Sequence, residues 1–457
     1  MSEKMRIPAR TYGALEVQLR ESLFTRALVL PIQEFIHIQG ISSILLLAAA
    51  VAALIWANSP WHDSYHHVWE LQLTLSGMQL PVHAWINDAL MAIFFFLVGM
   101  EIKHEIVHGG LSDIRKAALP VVGALGGMVL PALLFLALNY GGPGQHGWGI
   151  PMATDIAFSL GVLAMVKGIP SELKVFLLTL AIADDIGAII VIALFYTDTL
   201  DVQALFVSLV ILLVMFGLRR IGISRTIVFV VLGVAFWLAI QESGIHATIA
   251  GVILGFMVPA SPRLSLQQFE EIGVDMMQRF RAAQAEGDMA TANRLLGSFE
   301  QLVNATEADS ERLTRKLNDW VSFLVLPLFA LSNAGVTFSG GGLNELLASR
   351  IAWGVLLGLV IGKPIGIVGF SKLAVKLGLA RLPAGVNWMQ MAAVGFLAGI
   401  GFTVSIFIDS LAFKDPRYLR EAKIAILVAS VLAGVVGYFA LRYQAKVDIA
   451  AQPGKGL

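Results

Sequence analysis

Val175-Phe-Leu-Leu-Thr-Leu-Ala-Ile-Ala-Asp-Asp-Ile-Gly-Ala-Ile-Ile-Val-Ile-Ala-Leu-Phe-Tyr-Thr197 is an apolar run whose only charges, Asp184 and Asp185, stand side by side in its middle. A helix of about 20 apolar residues crosses the hydrocarbon of a bilayer, so this run predicts a membrane span. An Asp at the centre of such a span costs about 2.5–3.5 kcal/mol on insertion. Two adjacent acids are therefore an expensive device, and an expensive device needs a reason. Neighbouring residues on a helix point about 100° apart. Asp184 and Asp185 cannot both face one partner: one can pair with a buried cation while the other faces a water-filled path.

The rest of the chain fits a membrane setting. Of its 457 residues 57% are hydrophobic and only 14% charged, against roughly 25% charged in soluble domains. Mean hydropathy is +0.77. The formal net charge is zero, which gives no reason to expect a nucleic-acid partner. The absence of cysteine excludes disulfides, thiolate metal sites and cysteine nucleophiles. Residues 1–39 are mixed-charge (Arg6, Arg10, Glu16, Arg20, Glu21, Arg26) and do not read as a secretory signal.

The expected fold class is an all-α polytopic membrane protein with about twelve transmembrane helices. Spans are predicted near 41–57, 84–107, 117–139, 149–166, 174–197, 202–219, 225–241 and 245–259. Four more follow near 320–336, 351–371, 388–409 and 421–442. This divides the chain into an N-terminal segment 1–39, spans one to eight over 40–260, a polar helical loop 261–318, spans nine to twelve over 319–443 and a tail 444–457. Lys and Arg gather at Lys103, Arg115 and Lys116, at Lys167 and Lys174, at Arg219, Arg220 and Arg225, and at Lys372, Lys376 and Arg381, whereas 58–83, 140–148, 198–201 and 241–244 contain neither. The positive-inside rule then puts the 261–318 loop and both termini in the cytoplasm of a multi-pass protein of the bacterial inner membrane. One group disagrees: Lys414, Arg417, Arg420 and Lys423 fall on what should be the outer side. Ser265-Leu-Gln-Gln268 has the form of a capping box opening a helix in the polar loop.

Other charges sit where charges are costly. Asp155, preceded by Thr154, is the one charge of the fourth span, and Lys363 is the single base of the tenth. Lys363 is thus the obvious candidate partner for one of the paired acids, although a lysine there can also simply complement a helix dipole. Asp88 lies near a span end, where an interfacial reading competes with a functional one. His246 follows Gly244 at the start of the eighth span, suited to packing or to sensing pH. Glu101 crowds the end of the second span with Lys103, His104 and Glu105, as a solvated end or as a mouth for cations.

Two spans are poorly built as continuous helices. Residues 149–166 carry Gly149, Pro151, Thr154, Asp155 and Gly161, and residues 388–409 carry Gly395, Gly399, Gly401, Thr403 and Ser405. Interrupted segments in corresponding places of two halves mark the midplane site of a transporter. Unwound backbone offers carbonyl oxygens to a hard cation, and half-helix ends supply partial charges.

These residues resemble the NhaA family of sodium/proton antiporters, itself a standard example of inverted-repeat architecture. The resemblance runs over about 84–260 and 320–442. It rests on Asn87-Asp-Ala-Leu-Met-Ala-Ile-Phe-Phe, Ala153-Thr-Asp-Ile-Ala-Phe, Ala181-Ile-Ala-Asp-Asp-Ile-Gly-Ala-Ile and Gly244-Ile-His-Ala-Thr. Leu326-Pro-Leu-Phe-Ala, Ile361-Gly-Lys-Pro and Gly399-Ile-Gly-Phe-Thr-Val-Ser-Ile-Phe continue it in order. The resemblance implies twelve spans, with three to five and ten to twelve related by inversion and the fourth and eleventh crossing as broken helices. It implies that Asp184 and Asp185 are the essential carboxylates, that Asp155 and Thr154 lie at the crossing and that Lys363 pairs with Asp184. It further implies export of Na+ or Li+ against entering H+, control by pH with Asp88, Glu101 and His246 as accessory groups, a homodimer in the lipid bilayer, and no cofactor. Two departures stand out. The N-terminal segment and the 261–318 loop look longer than in the best-known members. Arg312-Leu-Thr-Arg-Lys-Leu-Asn-Asp replaces a stretch that carries Glu and His in those members, and His104 stands where a larger base is typical.

The chemistry this predicts is competition for one site, since a buried carboxylate poised near working pH holds a proton or a sodium ion but not both. Sodium suits carboxylate, hydroxyl and carbonyl oxygens, which Asp185, Asp155, Thr154 and unwound backbone can supply, with Na+ at Asp185 and Asp184. Energy must come from a gradient: Gly358-Leu-Val-Ile-Gly-Lys363-Pro is one residue short of a phosphate loop and has Pro364 in place of Ser or Thr, so no nucleotide is expected. Two rival functions are weaker. An intramembrane aspartyl protease would share a proton between Asp155 and Asp184 or Asp185, but its Gly-x-Gly-Asp motif is absent. A cation channel with an acidic ring does not suit acids in such dissimilar contexts.

Overall fold

Backbone N–H and C=O groups have no water to bond in a bilayer, so apolar runs must close their hydrogen bonds internally as helices. The structure is a computed structural model that describes residues 39–450, apart from 76–77, 167, 198–199, 224 and 338–345. The expected N-terminal segment up to residue 38, the tail beyond 450 and Lys167 lie outside the described residues. The chain opens with α1 (Gln39–Ala57), α2 (His62–Glu70) and a short antiparallel hairpin, β1 (Gln72–Leu75) with β2 (Met78–Pro81). There follow α3 (Val82–Val107), α4 (Ile114–Asn139), the 3-10 helix α5 (Gln145–Met152), α6 (Ile156–Ala164), α7 (Ser171–Phe195) and α8 (Val202–Arg220). Next come α9 (Thr226–Glu242), α10 (Ala247–Met257), α11 (Leu266–Ala285), α12 (Met289–Thr306) and α13 (309–333). The chain ends with α14 (Arg350–Lys376), α15 (Trp388–Ala398), α16 (Phe402–Ala412) and α17 (Pro416–Ala450).

The fold is all-α and polytopic. Among the described residues, seven helices are long and apolar enough to cross a membrane, or up to nine if each bent pair counts as one span. The expected runs are largely helical, apart from the breaks at 153–155 and 399–401, and α9 and α10 are shorter apolar helices of 17 and 11 residues. The ninth run is the second half of α13, which begins in the polar loop at Asp309 and continues through Asn333. The loop itself folds as the pair α11–α12, with the expected capping box formed by Ser265 and Gln268 and an edge-to-face contact of Phe269 on Phe299 at 6.3 Å between ring centroids. Arg263 and Arg312 both hold Asp309, at 3.1 and 2.8 Å, and fix the start of α13.

Lys423, one of the basic residues expected on the outer side, lies within α17, near its start. Arg417 likewise sits on α17 and is paired with Glu421 at 3.0 Å. Residues i and i+4 on a helix share a face, which brings Arg417 and Glu421 together.

Glycines let some of the core helices approach backbone to backbone. Gly126 on α4 and Gly366 on α14 face each other so closely that a Cβ on either would clash with the other's backbone carbonyl. Between α3 and α10, a Cβ at Gly251 would strike the carbonyl of Ala92. Small residues allow such backbone approach, and van der Waals packing then replaces the hydrophobic effect that lipid cannot supply. At Gly127 a Cβ would press on the Ile367 side chain of α14. Leucine at Gly126 should destabilise the protein by about 1–3 kcal/mol through overpacking; thermal unfolding in detergent should show a lowered midpoint, while leucine at the open position Gly217 should leave it unchanged.

Candidate functional site

Two helix breaks meet in the middle of the protein. Between α5 and α6, Ala153-Thr154-Asp155 runs extended, with φ −75°, ψ 151° at Ala153 and φ −86°, ψ 101° at Asp155. Between α15 and α16, residues 399–401 turn the chain by 48°. Glycine at 399 and 401 and the polar run Thr154-Asp155 favour leaving the helix here. Each break satisfies the other. Asp155 N donates to Ile400 O at 2.7 Å, Ser159 Oγ to Leu397 O at 2.8 Å and Ser405 Oγ to Ile150 O at 2.8 Å. Asp155 accepts from Phe158 N through one oxygen, capping α6, and from Thr403 N and Oγ1 through the other, at 3.2 and 2.6 Å.

The paired acids behave differently, as their angular separation requires. Asp184 Oδ2 lies 2.6 Å from Lys363 Nζ and 2.6 Å from Thr154 Oγ1. Lys363 is fully buried and also donates to Met152 O at the end of α5. It sits where a π-helical turn, Gly358–Gly362, meets Pro364; the proline ring cannot continue a regular helix, and the wide turn redirects the side chain inward. Asp184 Oδ1 has no hydrogen-bond partner. Among the described residues nothing donates to the carboxylate of Asp185, which lines a cavity of about 640 Å³. Thr154, Asp155, Thr403 and Glu101 share that wall, and the cavity continues to Glu311 and Asn318 on α13.

The structure thus gathers Asp184, Asp185, Asp155, Thr154 and Lys363 around one crossing, with Glu101 along the same cavity. It does not bring Asp88 or His246 there. Asp88 lies in the π-helical turn Ile86–Leu90 with Gln241 Nε2 at 3.5 Å. His246 precedes α10 with its ring nitrogen 2.5 Å from Tyr196 O. Sequence reasoning noted Thr403 and Ser405 only as marks of a broken helix; their hydroxyl bonds make them part of the crossing. It passed over Ser159 and Asp409. Asp409 could have been found by the test applied to Asp155, as a lone charge in an apolar span.

Among the described residues no three His, Asp or Glu side chains converge as they would around a resident metal ion. The oxygens around Asp185 are instead carboxylates, threonine hydroxyls and unwound carbonyls, a hard and adaptable set.

Interrupted helices crossing over buried acids near the middle of a polytopic bundle define the class of secondary transporters. The profile of the family described as Na+/H+ antiporter 1 matches residues 33–441, and the chain belongs to that family. It is 44% identical to the Na(+)/H(+) antiporter NhaA 2 of Syntrophotalea carbinolica, over 90% of this chain and 96% of that protein. It is 44% identical to the Na(+)/H(+) antiporter NhaA of Rhodopirellula baltica over 89% and 92%, and 41% identical to that of Koribacter versatilis over 96% and 97%. The family is one of transporters, not enzymes.

Removing one partner of a buried ion pair strands the other charge at about 3–5 kcal/mol. Lys363→Met should therefore lower the unfolding midpoint in detergent markedly, and adding Asp184→Asn should recover most of the loss.

Proposed function

We propose that this protein is a secondary antiporter that exports Na+ or Li+ in exchange for entering H+, and that Asp185 carries the exchanged ion. The observation that supports this is the division of the acid pair: Asp184 is held by Lys363 and Thr154, while Asp185 has no such partner and faces the cavity. A committed carboxylate is a poor ion carrier, because an arriving cation must first displace its ammonium partner; an uncommitted one is free to load.

The exchange follows from competition. A proton converts Asp185 to a neutral acid that no longer attracts sodium. Sodium, reaching it with oxygens from Asp155, Thr154 and the unwound turns, excludes the proton. Asp155 is the less mobile of these because three donors hold it. If only a loaded site can swap sides, proton entry down its gradient drives sodium out. The mutual bonding of α5–α6 with α15–α16 makes them a unit that can move together as access alternates. Lys363 keeps Asp184 neutralised while Asp185 changes its load.

The cavity runs from Asp185 to α13, whose polar start joins the α11–α12 pair. With the Lys/Arg pattern of the early loops this supports a cytoplasmic mouth and cytoplasmic termini in a bacterial inner membrane. The outer-side basic group counts less against this orientation than its number suggests, since Arg417 is paired with Glu421 and Lys423 opposes Asp409. Control by pH and a homodimeric state belong to the same reading through the family resemblance. Cross-linking in native membranes tests the dimer.

Everted vesicles carrying a pH-sensitive dye test the exchange. Added Na+ or Li+ should dequench the dye over some part of the pH range, and no cation-dependent proton movement at any pH would overturn the reading. Asp185→Asn should abolish the signal, at least a hundredfold loss, with expression and membrane insertion unchanged. Retained exchange would remove Asp185 from the site.

A further inference from the structure

Asp409 lies outside the crossing. It is the only charge of α16, it is fully buried, and neither carboxylate oxygen has a hydrogen-bond partner among the described residues. Asp184 and Asp155 differ, with two donors on one oxygen of Asp184 and three across both oxygens of Asp155; Asp185, the proposed ion carrier, is the buried acid that shares the lack of donors among the described residues. A fixed structural carboxylate in a dry interior is normally satisfied as Asp184 and Asp155 are, because an unmet buried acceptor costs about 1–3 kcal/mol and more when charged.

The groups that sense Asp409 define its surroundings. Lys423 on α17 is the cation whose charge acts on it. The Tyr196 phenol beyond α7 feels its charge, and that hydroxyl accepts from Gly149 N at 3.0 Å and donates to His146 O at 2.7 Å. Glu421, two residues before Lys423, is already engaged by Ser349 at 2.6 Å and by Arg417. The helix α5, bonded to α16 through Ser405 and Ile150, contributes backbone here. At its far end the same α5 offers Met152 O to Lys363. Asp409 stands six residues beyond Thr403 on α16, about 9 Å along the helix axis. It is thus displaced from the crossing toward the ends of α5, α7 and α17, which the proposed orientation makes the outer side.

We propose that Asp409 is a second proton-binding carboxylate of the exchange cycle, on the outer half, with Lys423 as the counter-charge that holds it when it is deprotonated. This rests on the antiport reading. A proton from outer water binds the Asp409 carboxylate and leaves a neutral acid. That acid passes the proton by way of water to a carboxylate of the Asp184–Asp185 pair, and the Asp409 anion that remains faces Lys423 again. No other atom changes hands. A group with this task must be free of fixed donors, since each would have to be broken at every turnover, and Asp409 has none among the described residues.

The competing account is a static charge pair bracing α16 against α17, and the two accounts part on a double variant. In everted vesicles, Asp409→Asn should lower the maximal Na+-driven proton flux at least fivefold, with the Na+ concentration for half-maximal flux within twofold of the unmodified protein. Lys423→Met added to it should not restore the flux, because removing a counter-charge does not supply a proton acceptor. Asp409→Glu, which keeps a carboxylate, should retain exchange with a displaced pH profile. Full flux in the double variant, or an unchanged pH profile in Asp409→Glu, overturns the proposal. The unmodified protein in the same vesicles separates the two readings: exchange there upholds the antiport function whatever the Asp409 variants do.

Discussion

Where α5–α6 and α15–α16 leave the helical path, their backbone groups lose the intrahelical bonds that a bilayer interior demands. No water is available in hydrocarbon to take over. The two breaks therefore have to meet, and the bonds from Asp155 N to Ile400 O, from Thr403 to Asp155 and from Ser405 to Ile150 are what lets them exist. Everything functional follows from this one constraint. It fixes Thr154 beside Asp184, brings Met152 O to Lys363, and opens the space into which Asp185 projects.

The acid pair gains its meaning from that frame. A helix sends adjacent side chains about 100° apart, so one acid turns toward α14 and the other toward the cavity. Lys363 reaches Asp184 from α14, which lies in close backbone contact with α4 at Gly126 and Gly366, and it follows directly on the π-turn Gly358–Gly362. Packing thus decides which of two chemically identical residues meets the lysine and which faces the cavity. Asp409 shows the same logic in reverse, since a buried acid without donors is left open to a proton.

Much of this was legible beforehand. Apolar runs marked the helices because length and hydropathy are local properties, and the glycine-rich, polar interruptions at 149–166 and 388–409 marked both breaks. The capping box at Ser265 was readable from four residues. The start of α17 was not, because hydropathy discounts a charged first turn even where i,i+4 pairing offsets those charges, as between Arg417 and Glu421. Asp88 and His246 were legible as unusual residues but not as distant ones, since distance from the crossing is set by how α3 and α10 pack.

By itself the sequence determined that this chain is a polytopic helical membrane protein with costly acids in its spans and two broken helices, since each of these is a property of one continuous segment. Only the tertiary structure decided that the breaks satisfy one another, that Asp184 rather than Asp185 meets Lys363, and that Asp409 is buried with no hydrogen-bond partner among the described residues. Those are relations between segments far apart in the chain, set by backbone approach and by the rule that a buried polar group must find a partner. No local pattern encodes which partner it finds.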